Sequence, residues 1–172
     1  MSGTWQTAVP GLLQTRRYAE AIIRAANYGS PPKQIQRWIE LRMARQQLLQ
    51  REEPLRLHAV IDEAVVRRMV GGPAVMREQL SHLVKLSERP DIKIQVLPFT
   101  AGAHASPDGQ FDLFRMTAPF PDAACMQTPS GTVYVESAEA ERLAGAYDRL
   151  RQAAMSVDAT VAFLSDLAAR LE

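Results

Sequence analysis

Two short β-rich runs constrain this chain more than any other feature. Residues 55–61 alternate like a strand and then turn apolar, and Ile92–Leu97 repeats the pattern after about thirty residues of mostly helical spacing. Two strands joined through a helix cannot form a hairpin. They predict a right-handed crossover that sets both strands parallel in one sheet. Asp62 and Glu63 open the intervening stretch, with acid at the positive end of a helix dipole. Gly71-Gly72-Pro73 interrupts it, and Val75, Met76, Leu80, Leu83, Val84 and Leu86 carry an apolar stripe to just before Pro90.

The flanks complete the expected fold. A helix is predicted over 10–27, with Pro10 in its first turn and Leu12, Leu13, Tyr18, Ile22 and Ala25 on one face. A second is predicted over 33–51, with Ile35, Trp38, Ile39 and Leu49 as its stripe and Arg42 on that same stripe. Residues 111–116 read as a strand. Residues 123–128 and 132–136 read as a hairpin around Pro129-Ser130-Gly131. Helices are expected over 138–154 and 157–171, the latter capped by Ser156. The expectation is one α+β domain over 1–172. Its mixed sheet has about five strands, a parallel strand–helix–strand crossover followed by an antiparallel meander, flanked by N- and C-terminal helices.

Composition narrows the function classes. The 172 residues are 47% hydrophobic and 23% charged, enough to bury a core. A net charge of +1 gives no global field toward nucleic acid or a membrane. Nine Lys/Arg against four Asp/Glu fall within residues 1–56, which reads as solvated helix faces or as a shallow anion-attracting surface. The single cysteine, Cys125, allows no disulfide within the chain and suits a reducing compartment. With no long apolar run and no signal-like start, a cytoplasmic location without membrane contact is expected. His58, His82 and His104 are far apart and lack metal-ligand spacing, and no phosphate or dinucleotide loop is present, so neither metal nor cofactor is expected. The segment 33–51 carries Arg37, Arg42, Arg45 and Arg51 without a helix-turn-helix frame, so no direct nucleic-acid binding is expected.

Candidate site residues gather at the strand ends. The run Ile92–Leu97 stops at Pro98 and opens through Phe99, Thr100 and small residues to His104. The carboxyl ends of parallel strands are where clefts form in crossover units, so Asp62, Glu63, Phe99 and His104 are predicted to share one. An imidazole beside a carboxylate titrates near neutrality, which makes Glu63 and His104 an acid–base pair if they meet. Asp62 and Glu63 equally suit a helix cap. Arg42 suits either an ion pair with one of them or an acidic ligand. Alternation places Cys125 and Gln127 on one face of their strand, and Tyr134 and Glu136 on one face of its partner. Cys125, within Ala123-Ala124-Cys125-Met126, reads as a buried inert thiol.

Four segments together resemble a known family: Val9-Pro10-Gly11-Leu12-Leu13-Gln14-Thr15, Val60-Ile61-Asp62-Glu63-Ala64, the 96–104 loop, and 132–136 leading into Tyr147-Asp148-Arg149-Leu150. The chain resembles the C-terminal domain of actinobacterial antitoxin-like regulators, whose N-terminal part is an XRE-type helix-turn-helix. That resemblance implies a sensor or partner-binding module associated with a small companion protein. Where such proteins show a Tyr-Val-Glu type segment, this chain reads Cys125-Met126-Gln127, which exchanges a phenol and an acid for a thiol and an amide. The chain begins at the domain, as a trimmed or free-standing relative would.

The leading expectation is therefore a non-enzymatic sensor domain that binds a small molecule or a companion protein. The rival is a cofactor-independent cyclase or isomerase of secondary metabolism, using His104 or Glu63 on a small apolar metabolite. A third is a homodimer formed through Leu143, Leu150, Val161 and Leu164.

Overall fold

In a computed structural model, which describes residues 2–6, 8–128 and 131–171, the crossover forms as its sequence demands. Strand β2 (Leu57–Asp62) pairs parallel with β3 (Ile92–Leu97). Between them lie the short helix α3 (Glu63–Arg67) and the longer α4 (Pro73–Ser87). Gly71 and Gly72 take φ of 69° and 90°, left-handed values that turn the chain before Pro73 begins α4.

The meander also forms. Strands β4 (Phe111–Phe114), β5 (Ala123–Thr128) and β6 (Gly131–Glu136) pair antiparallel in sequence. Of the expected hairpin turn, Pro129 and Ser130 lie outside the described residues.

The sheet has six strands, one more than the pattern suggests, in the order β3-β2-β1-β4-β5-β6. The addition is β1 (Ser2–Gln6), which joins the two halves by pairing parallel with β2 and antiparallel with β4. Its residues show no run of apolar alternation, because only Trp5 faces the core as a large apolar side chain and Gly3 must stay small. A Cβ on Gly3 would stand 2.9 Å from the Tyr147 ring.

Helices α1 (Arg16–Ala26), α2 (Pro32–Arg45), α5 (Ser137–Ala153) and α6 (Val157–Ala169) complete the domain. On one face of the sheet, Leu57, Ala59, Ile61, Ile92, Ile94 and Val96 pack against Met76, Leu80 and Leu83 of α4 and Leu164 of α6. On the other, Trp5, Val60, Leu97, Phe111 and Ala124 pack against Leu143, Tyr147 and Leu150 of α5. The three leucines Leu143, Leu150 and Leu164, expected above at a dimer contact, are thus spent inside the protomer, and Val161 is half-buried. The outer edge of β3 is closed by the junction of α5 and α6, where Met155 N–H donates to Val96 O at 2.9 Å and Val96 N–H donates to Thr160 Oγ1 at 3.0 Å.

The first predicted helix begins late. Residues 11–13 make one 3₁₀ turn, and α1 starts only after Thr15, whose hydroxyl accepts from Tyr18 N–H. The break is held from outside the segment. Gln79 of α4, fully buried, accepts from Thr15 N–H at 2.7 Å and donates to Leu13 O at 2.8 Å. The second helix likewise ends at Arg45 and continues as a 3₁₀ turn over Gln46–Leu49.

Candidate functional site

At the ends of β2 and β3, Glu63 and His104 engage different partners. Glu63 is buried and spends both carboxylate oxygens locally. Oε1 accepts from Arg67 Nε at 2.6 Å, and Oε2 accepts from Phe99 N–H at 2.7 Å. That pair of bonds staples α3 to the turn after β3. Asp62 caps α3 by accepting from Ala64 N–H at 2.7 Å. His104 turns to the α5 side and sets its ring against Trp5, centroids 5.1 Å apart, while its Nδ1 accepts from Ser106 N–H at 3.3 Å. Phe99 projects outward, 58% exposed. The expected pairing of Arg42 with Asp62 or Glu63 is also replaced, because Arg42 lies across the sheet against Gln14.

A cleft opens elsewhere, on the same sheet face as α4 and α6 but over the part those helices leave uncovered. Its volume is about 480 Å³, within the range of small-molecule sites. The floor is the β1–β4–β5 surface, which presents Thr4, Asp112 and Gln127. One wall is the turn Val9–Gln14, and the other is the end of α2 with Arg42 and Arg45. Leu12, Ile22, Leu55 and Leu57 supply apolar lining.

The turn Val9–Gln14 is a loop stiffened by glutamine amides. Gln14 Nε2 donates to Val9 O at 2.7 Å, and Gln46 Nε2 donates to Gly11 O at 3.1 Å and Gln14 O at 2.7 Å. Gln14 also accepts from Arg42 Nη1 at 3.0 Å and so aims the guanidinium into the cleft. Gly11 makes room for it: a Cβ there would meet Arg42 Cδ at 3.1 Å. Burial, and secondarily the charge of Arg45, lower the Arg42 pKa from its ordinary value.

On the floor, strand register carries the chemistry. Thr4 stands opposite Asp112, and Asp112 opposite Cys125, which stands opposite Tyr134. Residues directly opposite share a face, so these side chains form one polar row across the sheet. Thr4 Oγ1 donates to Asp112 Oδ1 at 2.5 Å, and Cys125 Sγ lies 3.8 Å from Asp112 Oδ2. Burial and the Asp112 carboxylate raise the Cys125 thiol above its ordinary pKa, which keeps it protonated and poorly nucleophilic. Gln110 Nε2 reaches Gln127 Oε1 at 3.5 Å along the rim. Tyr134 and Glu136 share this face of the sheet, but both are exposed on the outermost strand beyond the cleft.

Among the residues expected at a site, the structure thus brings Arg42 and Gln127 to the cleft and sets Cys125 beside Asp112 on the same sheet face. Asp62, Glu63, Phe99 and His104 are placed elsewhere. The residues that sequence reasoning missed are Thr4, Gln14, Arg45 and Asp112. Two of these carried a signal. Asp112 interrupts the apolar run Phe111–Phe114, and Arg45 follows Arg42 by three residues, on the same helix face.

Among the described residues, no helix is long and apolar enough to cross a membrane, and no group of three or more His, Cys, Asp or Glu is placed to hold a metal ion. Fold and cleft together define an α+β domain with a mixed six-stranded sheet and a polar-floored pocket on one face. The chain belongs to the family described as Domain of unknown function (DUF5753), whose model matches residues 4–166. No curated protein and no solved structure matches it at a significant level.

Proposed function

We propose that this domain is the ligand-binding, sensor-type module of a cytoplasmic regulator related to the antitoxin-like XRE-type proteins. The observation that carries the reading is the cleft between the glutamine-braced turn and the β1–β4–β5 floor. Its walls come from three separate parts of the chain: the 8–14 turn, the end of α2, and the meander. A ligand that bridges them would tighten their relative positions, which is the physical basis of a response passed to another domain or to a companion protein.

The enzymatic alternative, a cofactor-independent cyclase or isomerase, has less support. Its two candidate acid–base groups are spent on separate structural contacts, and the thiol beside Asp112 is held protonated.

A thermal-shift screen of metabolites tests the proposal. At least one compound should raise the melting temperature saturably. The effect should disappear in Ala26→Trp, which adds bulk at an exposed position lining the cleft. A hit that stabilises this variant equally binds outside the cleft and contradicts the assignment. So does a screen without hits.

A further inference from the structure

We infer that the cleft takes a small monocarboxylate with an apolar body, its carboxylate set against Arg42 and Arg45. This rests on the ligand-binding reading above and names the class of ligand.

Among the described residues, eight arginines elsewhere meet a carboxylate and seven others do not, so what sets Arg42 and Arg45 apart is their place in the cleft and the burial of Arg42. Arg16, Arg17, Arg24 and Arg67 each meet a carboxylate, as do Arg89, Arg142, Arg151 and Arg170. Arg42 and Arg45, the two that line the cleft, form no ion pair among the described residues. They stand one helical turn apart on the same wall, and the charge of Arg45 raises the cost of the Arg42 charge. Burial adds to that cost at Arg42. Gln14 satisfies one Arg42 donor with a neutral oxygen and leaves the rest of the planar fork for an acceptor in the cleft.

The charge balance selects a monoanion. Among the described residues, Asp112 is the one acidic residue lining the cleft, and it accepts from Thr4 Oγ1 on the floor. Two cations against one anion leave a single positive charge in excess. A dianionic phosphate would overcompensate and face Asp112 across the same space. Ile22, Leu55 and Leu57 then offer the apolar contact that an inorganic anion would leave unused.

Calorimetric titration of the full chain tests this with matched probes: hexanoate, octanoate, decanoate and phenylacetate, each beside its primary alcohol and its phosphate monoester. At least one carboxylate should bind about tenfold or more tightly than its alcohol and its phosphate ester, the scale of one charge-assisted hydrogen bond. Arg42→Gln and Arg45→Gln should each remove that preference while leaving the weak binding of the alcohol. Arg42→Lys should keep part of it, and Arg67→Gln, outside the cleft, all of it. Retained alcohol binding shows that the variants are folded. The inference is overturned if carboxylate and alcohol bind alike, if the phosphate ester binds tightest, or if the preference survives both glutamine substitutions. If the panel is silent while a neutral or cationic metabolite binds in a way that Ala26→Trp blocks, the carboxylate class falls and the ligand-binding reading stands. If neither panel nor screen binds, both fall.

Discussion

Glu63 shows how one side chain can look catalytic and be structural. A buried carboxylate at the end of a strand in a crossover unit has the position of an acid–base group. Here it accepts from a backbone N–H and a guanidinium, with no oxygen turned to a cleft. Glu63→Gln keeps the shape but turns an amide N–H toward one of the two donors. The expected loss is about 1–2 kcal/mol, the value of a charge-assisted bond reduced by the half-exposed Arg67, with ligand affinity unchanged. Chemical denaturation reads the first quantity, and the titration above reads the second. His58 carries a second prediction at this scale. It is buried, its Nε2 lies 2.7 Å from Gln95 Oε1, and burial lowers its pKa despite that bond. The unfolded chain takes up a proton at the ordinary histidine value, about 6.5, while the folded imidazole resists until lower pH. Stability is therefore full above pH 6.5 and falls as the pH drops below it. His82, lowered by burial in the same way, adds to the fall. Denaturation midpoints should decline from pH 7.5 to 5.5, with a shallower slope in His58→Gln. An unchanged slope in that variant would remove His58 from the account.

Among the elements, the turn that walls the cleft depends on side chains from distant helices. Gln79 donates and accepts at the break between Leu13 and Thr15 from a position with no solvent exposure. Gln79→Leu leaves a part-buried N–H and a buried carbonyl unpaired, at an expected cost of about 1–3 kcal/mol. It should also weaken any cleft ligand, because the wall loses its anchor. Destabilisation below about 1 kcal/mol would show that the turn holds itself. The same contacts explain what the sequence could and could not show. Periodicity located β3, the crossover and the meander, because those elements bury an alternating or apolar pattern of their own. It placed the first helix early, since Leu12 and Leu13 continue the apolar spacing, while the break is made by the Thr15 cap and by the Gln79 bonds from far along the chain. It missed β1, whose Gly3 and Thr4 answer to Tyr147 above and Asp112 beside them rather than to any local preference. The cleft was legible only in part. Alternation grouped Cys125 with Gln127 and Tyr134 with Glu136, but which face lay open depended on where α4, α5 and α6 settled.

For the whole molecule, the sheet divides its labour between two halves. The parallel half, β3 and β2, is covered on one face by α4 and α6 and on the other by α5, and supplies the core. The antiparallel half is covered by α5 on one face and presents Thr4, Asp112 and Gln127 to the cleft on the other. β1 joins the halves and carries a core residue, Trp5, next to a cleft residue, Thr4. Occupation of the cleft therefore bears on the strand that holds the sheet together. The most direct test is a crystal structure of the full chain grown with the tightest-binding carboxylate of the panel. The account predicts density between the end of α2 and the β4–β5 floor, with the carboxylate within hydrogen-bond reach of Arg42 and Arg45. Density at the Glu63–Phe99 turn or beside His104, with the β1–β4–β5 cleft empty, would contradict it.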